Sequence, residues 1–567
     1  MIEKEFSSPK SFRLILFKPG SSPLFFLVLC FQLLFIPKES HAQRSVTQDV
    51  FNDYHRTLQI EGVSEKYSVF NSHYPQFYRS GPDTLTTHPW QNLYHPEEDL
   101  YRKGDFRFHL YDPEFVTFWR NLRPGGINNG AIWEGRGFTS SFSTGFHMQY
   151  GVLSASFHPL IIYHQNRNFG LSRYPVRDGL SEFSHPFYRI DSPQRFGDDP
   201  FWTLDPGPSY IRAGYQGFEA GLSNQNRRWG PALYYPIILS DNAPGFWHFF
   251  AGTSRPKDIY IGDLEATLIW GKLLESDYFD RQSFNDERYI TGFTLALTPK
   301  PVPGLKLGFS RVFYRMIPPE GIPVSDLFRV FEAFTKHSFL SDENLSGNDD
   351  FSQMLSLYAR WVFPGSGFEI YGEWSRNDHS WNLRDALGEP EHSRAYMAGF
   401  QKSFTLSNSN IFVINAELVE MEASNTRNLR SDATYYAHHI VTQGYTHKGQ
   451  ILGLGFDPGS NSQILNGKYF FDQGKVSGWF RRTVYNNDFL YRSDAMLSQQ
   501  GNEGMQKYWL HNFELAFGSS LVFFYNQWET EIGFELAREF NDDFIYENDQ
   551  THLAMNLRVR YRLSSLR

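Results

Sequence analysis

Hydrophobic and polar residues alternate with a period of two through most of the chain. In "HLAMNLRVRYRL" (552–563), Leu553, Met555, Leu557, Val559, Tyr561 and Leu563 share one face, while Ala554, Asn556, Arg558, Arg560 and Arg562 share the other. A strand turns successive side chains to opposite faces, so this stretch has an unbroken apolar face backed by three arginines. "GFTSSFSTGFHMQY" (137–150) repeats the pattern, with Phe138, Phe142, Phe146, Met148 and Tyr150 opposite Thr139, Ser141, Ser143, His147 and Gln149. Further hairpins are predicted over 289–298 with 304–314, 354–363 with 368–376, and 508–517 with 521–540. Their connectors are alternately short, such as "PGSG" (364–367), and long, such as 316–350. An apolar face beside a polar one, with short turns at one end and long loops at the other, is the arrangement of an outer-membrane barrel. There the apolar face meets lipid and the polar face a wet lumen. Arg558, Arg560 and Arg562 are then expected to line the lumen. Runs of about ten residues predict roughly 16 to 20 strands in one antiparallel transmembrane β-barrel of the all-β class.

The N-terminal part breaks this rhythm. Residues 1–42 read as a signal peptide, with basic Lys4, Lys10, Arg13 and Lys18 before the apolar "LFFLVLCFQLLFI" and small Ser40 and Ala42 near the expected cut. Residues 43–125 read as a small helical or mixed preface at the periplasmic end, with the barrel spanning 126–567. Within the preface, 46–60 predicts a short amphipathic helix carrying Val50, Tyr54 and Leu58 on one face. "YDPEFVTFWRNL" (111–122) fits helix or strand equally.

Composition sharpens the class. Aromatic residues make up 17% of 567, yet mean hydropathy is −0.46. No 18-residue apolar run follows the leader, so the chain offers strands rather than a helix to a membrane. The sole cysteine, Cys30, lies in the leader, so the mature fold needs no disulfide. Removing the leader takes away five Lys/Arg and three Asp/Glu and moves the formal charge from −9 to −11. Such a balance argues against nucleic acid, which requires a basic face.

Candidate chemistry is sparse. Glu369 and Glu373 fall on one face of a strand and could form a carboxylate pair, or simply line a lumen. His438, His439 and His447 are the best metal-ligating group, but adjacent strand residues point apart, and no metal or cofactor is expected. Nucleophile elbows, zinc-protease helices, phosphate loops and dinucleotide fingerprints are absent, and no enzyme is expected. "NQNRRWGPALYYPIILSDNAPGFWHFF" (224–250) is more informative. Pro231, Pro236 and Pro244 exclude an interior strand, and the stretch is too apolar for water, so it is expected to fold into the lumen. Asn226, Arg227, Arg228, Trp229, Tyr234 and Tyr235 are its candidate polysaccharide-binding residues, because arginine forks hold carboxylates and aromatic faces hold sugars. A structural plug whose arginines pair with lumen acids is the equal alternative.

Several words of the sequence together resemble the capsule assembly proteins of the Wzi type. They are "NNGAIWEGRG" (128–137), "YHQNRNF" (163–169), "NRRWGP" with "LSDNAPGF" (226–231, 239–246), "EWSRNDH" with "EPEHSRAYMAGFQK" (373–379, 389–402), and "QGYTHKGQILGLGFDPGSNSQ" (443–463). The resemblance implies an outer-membrane barrel of about eighteen strands with periplasmic helices. It also implies a lectin-like role, anchoring capsular polysaccharide or exopolysaccharide at the surface of a Gram-negative cell. Polysaccharide and outer-membrane lipid are the expected partners, with the export machinery beside them, and a monomer is the expected state. Two departures stand out: Asn129 occupies a position where an acid is expected, and the chain ends "RLSSLR" without a terminal phenylalanine. The competing function is a channel for sugars or acidic oligosaccharides.

Overall fold

The computed structural model describes residues 50–62, 88–90 and 101–563, apart from 175–176, 332–350, 364, 378–386, 407–408, 429–433, 494–496, 499–500 and 503–504. Residues 1–42, expected to be a signal peptide, lie outside the described residues. Helix α1 (Val50–Ile60) precedes an antiparallel sheet that closes on itself as an 18-strand barrel. In chain order its strands are β1 (Phe106–Arg120), β2 (Gly137–Tyr150), β3 (Leu153–Phe157 with Leu160–His164), β4 (Phe201–Asp205 with Tyr210–Tyr215) and β5 (Phe218–Ser223). Then follow β6 (His248–Thr253 with Lys257–Ile259), β7 (Gly262–Leu274), β8 (Glu287–Pro299), β9 (Leu305–Met316) and β10 (Ser352–Phe363). The remainder are β11 (Phe368–Asn377), β12 (Arg394–Thr405), β13 (Ile411–Glu420), β14 (Asn461–Phe471), β15 (Gly474–Tyr485), β16 (Asn512–Tyr525), β17 (Trp528–Phe540) and β18 (Gln550–Tyr561). Each pairs with its sequence neighbour, and β18 closes onto β1 from Glu114↔Arg560 to Arg120↔Ala554.

The expected boundary at residue 126 is therefore corrected: β1 begins at Phe106, and it is a full wall strand. Its register slips between Tyr111 and Glu114, a bulge that interrupts period-2 alternation and explains why the sequence there reads equally as helix. The predicted amphipathic helix is present as α1, with Val50, Tyr54 and Leu58 buried together against Trp90, Val413, Phe470 and Phe524.

Alternation sorts the wall residues. Leu465, Phe480, Phe517, Ile532 and Leu536 are about half exposed on the outside. Their strand neighbours Ser462, Glu514, Glu529 and Ala537 are buried inside. A belt of exposed Leu, Phe, Ile and Trp on this scale is stable only against hydrocarbon. No described helix is long and apolar enough to cross a membrane, so the strands do the crossing.

Described loop residues pack into much of the lumen. One large apolar core joins inward wall residues (Ile269, Ile290, Val312, Met354, Met397, Val419) to loop residues Trp229, Ala232, Ile237–Leu239, Tyr436, Leu452 and Leu454. These loops leave from the long-loop end, whereas α1 meets the wall near the short turns. Asp53 lies between Lys468 of β14 (2.5 Å) and Lys475 of β15 (3.1 Å), and Arg56 bonds Glu369 of β11 (2.7 Å).

Candidate functional site

Residues 224–247 leave β5 after six strand residues and return as β6. Without a sheet partner the segment must satisfy its backbone otherwise, and wall and neighbouring side chains do this. Glu417 of β13 accepts three successive backbone N–H groups, from Leu233 (2.7 Å), Tyr234 (2.9 Å) and Tyr235 (2.6 Å), and the Tyr371 hydroxyl as well (2.8 Å). The Tyr436 hydroxyl donates to the Ile237 carbonyl, and Ser240 pairs through its backbone N–H with the Leu452 carbonyl. Gly230 has φ +89°, and a Cβ there would lie 2.7 Å from the Glu373 carboxylate, so only glycine lets the loop approach this wall.

The six expected binding residues divide between two environments. Asn226 donates to the Ala243 carbonyl (2.8 Å) and clasps the loop's two ends. Arg227 is buried over the Phe250 ring, its Nε donating to His248 (3.1 Å). Trp229 is only 2% exposed and abuts Gly292 of β8, and Tyr235 is 1% exposed with its hydroxyl on Ser462. Asn226, Arg227 and Trp229 sit inside packed loop structure, away from any cavity wall. Arg228, Tyr234 and, through its small exposed part, Tyr235 line a lumenal cavity of about 400 Å³.

That cavity lies between the loop and α1. Its lining includes Asp53, His55 and Arg56 of α1, Asn128 and Asn129 of the β1–β2 loop, and Lys468, Lys475, Arg481 and Arg558 of the wall. Eight cationic side chains line it against five carboxylates. Most of the cations are paired: Arg120 with Glu134 (2.6 Å), Arg481 with Glu514 and Glu535, and Arg558 with Glu531 (2.9 Å). Arg228 reaches Asp241 only at 3.5 Å, and its buried Nε has no hydrogen-bond partner. Arg56 bridges both plugs, donating to Glu369 and to the Pro231 carbonyl (2.7 Å). Burial works against ionisation of Asp53, but its two lysines prevail and hold the carboxyl well below the usual range. Burial pushes the Glu134 carboxyl up, Arg120 notwithstanding. Asn129, placed where an acid was expected, donates to this same Glu134 (2.5 Å).

The other sequence candidates resolve simply. Glu369 is held by Arg360 (2.7 Å) and Arg56, while Glu373 accepts from Ser356 (2.5 Å), so the two carboxylates serve separate networks. His447 Nδ1 accepts the Leu274 N–H (3.0 Å), and His438 Nδ1 accepts the Val441 N–H (3.1 Å). No metal-ligating group of three occurs among the described residues. Arg558 and Arg560 face the lumen, Arg560 bonding Glu114 (2.8 Å) and Glu529 (3.2 Å); Arg562 is buried near the Phe524 ring. The α1 and wall contributors, Asp53, Arg56, Lys468 and Lys475, escaped sequence reading because they meet only across some 400 residues of chain. The one available signal was inward Lys468 and Lys475 on a hairpin opposite apolar outward neighbours.

A family model for the capsule assembly protein Wzi matches residues 127–506, more than half of the chain. The chain belongs to the Wzi capsule assembly family. Among solved structures, the Wzi protein of Escherichia coli is described as an outer-membrane, carbohydrate-binding β-barrel involved in group 1 capsule assembly. It superposes with a TM-score of 0.51 at 11% identity, over 80% of this chain and 85% of that one. OpdK of Pseudomonas aeruginosa, solved with vanillate, gives 0.38 at 10% identity over 81% and 98%. A BenF-like porin from Pseudomonas fluorescens gives 0.38 at 11% over 81% and 99%. No curated protein sequence matches the chain. The Wzi family match spans the loop 224–247 and the segment 434–456, both of which pack into the lumen core.

Proposed function

We propose that this protein sits in the outer membrane, binds capsular or extracellular polysaccharide, and holds it at the cell surface without cleaving it. Family membership supports the capsule role, and the E. coli relative's description as carbohydrate-binding supports the ligand class. The observation that carries the reading is the packed lumen: among the described residues, core packing from the long-loop side and α1 from the short-turn side narrow it to a cavity lined by charged and polar groups. A volume of about 400 Å³ falls within the ~300–1,000 Å³ of small-ligand sites. Its surplus of cations suits one acidic sugar unit, with Arg228 offering its guanidinium charge at the cavity wall and Tyr234 its ring. Tyr235 completes the same cavity wall, and Asn226, Arg227 and Trp229 shape the loop that presents it.

The test is paired. Purified protein in detergent should retain polysaccharide from an encapsulated strain without shortening it, and planar-bilayer recordings should show almost no conductance. Steady porin-like conductance with no polysaccharide retention would favour a sugar channel and overturn the reading. Chain shortening would replace it with an enzyme.

A further inference from the structure

On one sector of the barrel the alternation of buried and exposed residues fails. Along β8 the run Arg288–Gly292 is buried at every position, and along β9 so is Ser310–Tyr314. The inward members, Ile290, Val312 and Tyr314, belong to the lumen core. The outward members, Tyr289, Thr291, Arg311 and Phe313, are covered from outside. The cover is the start of the β9–β10 loop, residues 317–331, which folds down the outer wall and forms a 3-10 turn at Val324–Phe331.

The polar groups beneath this flap are matched to it. Trp270 Nε1 (2.7 Å) and Thr291 Oγ1 (3.2 Å) both donate to the Leu327 carbonyl, and Arg311 donates to the Val330 carbonyl (3.3 Å) and to Gln353 Oε1. The Asp326 carboxylate takes the Tyr289 hydroxyl (2.6 Å) and Arg329 (3.0 Å). Non-helical backbone at membrane depth is stable only when its polar groups are satisfied by protein. An arginine on the lipid face of a strand costs ~2–4 kcal/mol near mid-bilayer, which the flap avoids by burying Arg311 completely.

The flap's other side is apolar and open: Val324 is 72% exposed, Phe328 53% and Phe331 57%. Phe331 packs on Phe293 (5.2 Å), an outward residue of β8, so this surface continues the lipid belt of Leu307 and Leu357. Arg311 stands six residues above the start of β9. At ~3.4 Å per residue and ~40° of tilt, that is roughly 16 Å above the short-turn rim, within a belt ~25 Å tall.

We propose that residues 317–331 form a membrane-inserted flap, and that Val324, Phe328 and Phe331 bind acyl chains of the outer lipid leaflet. The flap fixes the barrel's depth and rotation under the polysaccharide-bearing loops. Replacing Cys30 by serine leaves no other cysteine in the chain. Single substitutions Phe328→Cys, Val324→Cys, Leu357→Cys (belt) and Glu391→Cys (long-loop end) then each carry a nitroxide in proteoliposomes. Collision with oxygen, which partitions into lipid, and with a nickel chelate, which stays in water, is measured by electron paramagnetic resonance. Labels at 328 and 324 are expected to match 357: open to oxygen, closed to nickel. A water-like response matching 391 overturns the proposal. Shielding from both reagents also overturns it, showing a protein partner, such as a second copy, on the flap.

Discussion

At the residue scale, neighbouring side chains in the 224–247 loop do different work. Arg228 lines the cavity, whereas Trp229 is sealed under β8. Arg228→Ala is therefore expected to weaken polysaccharide retention about tenfold, the size of a lost charge-assisted hydrogen bond, with a stability loss limited to the bonds its Nη2 gives the Ala232 and Leu233 carbonyls. Trp229→Ala is expected to behave oppositely, lowering stability by about 3–5 kcal/mol through the void it leaves, as read from the unfolding temperature. Titration adds a separate handle on α1. Burial, assisted by Arg360, lowers the His55 pKa to about 4. Undocked His55 would take up a proton first, so its contribution to docking is complete above ~6.5 and declines as pH falls toward 4. Hydrogen exchange of α1 should accelerate across that interval in the native chain and change less in His55→Gln.

At the element scale, the lumen-folded loop is fastened by one carboxylate. Glu417 gathers three loop N–H groups and the Tyr371 hydroxyl, so Glu417→Ala strands four donors in a dry interior. The expected outcome is proteolytic nicking within 224–247 while the strands remain protected, seen as two fragments after limited digestion. Unchanged resistance would show that apolar packing alone seats the loop. What the sequence reveals at this scale follows from local periodicity. The face of β18 and the face of α1 are readable because 2.0 and 3.6 residue periods are written in adjacent residues. Strand β1 hides because its bulge at Tyr111–Glu114 breaks the period, and the proline-rich loop reads as lumenal because no other place suits it. The cavity is illegible: Asp53 meets Lys468, and Arg56 meets Pro231, only after closure. The outer flap left one trace, Arg311 on the face of Leu307 and Phe309, a charge where lipid should be.

At the scale of the whole molecule, the barrel closes through buried charge. Arg560 of β18 bonds Glu114 of β1 and Glu529 of β17, all three almost fully buried, and Arg558 bonds Glu531. Removing one partner leaves an uncompensated buried charge, at a cost of about 3–5 kcal/mol. Arg560→Ala is expected to reduce the fraction of chain that runs as folded barrel on an unheated denaturing gel. Arg560→Ala combined with Glu114→Gln and Glu529→Gln should recover much of it, because neutral amides replace the stranded acids.

The same seam also governs order in time. Glu114 and Arg560 are 446 residues apart, so the first strand waits with its acid exposed until the last strand has been made. A one-residue slip would turn Arg560 into lipid and leave Glu114 facing a neutral side chain, at a cost larger than the backbone hydrogen bonds of a mismatched pairing restore. Closure is thereby checked by charge: only the complete chain, in the correct register, completes its wall.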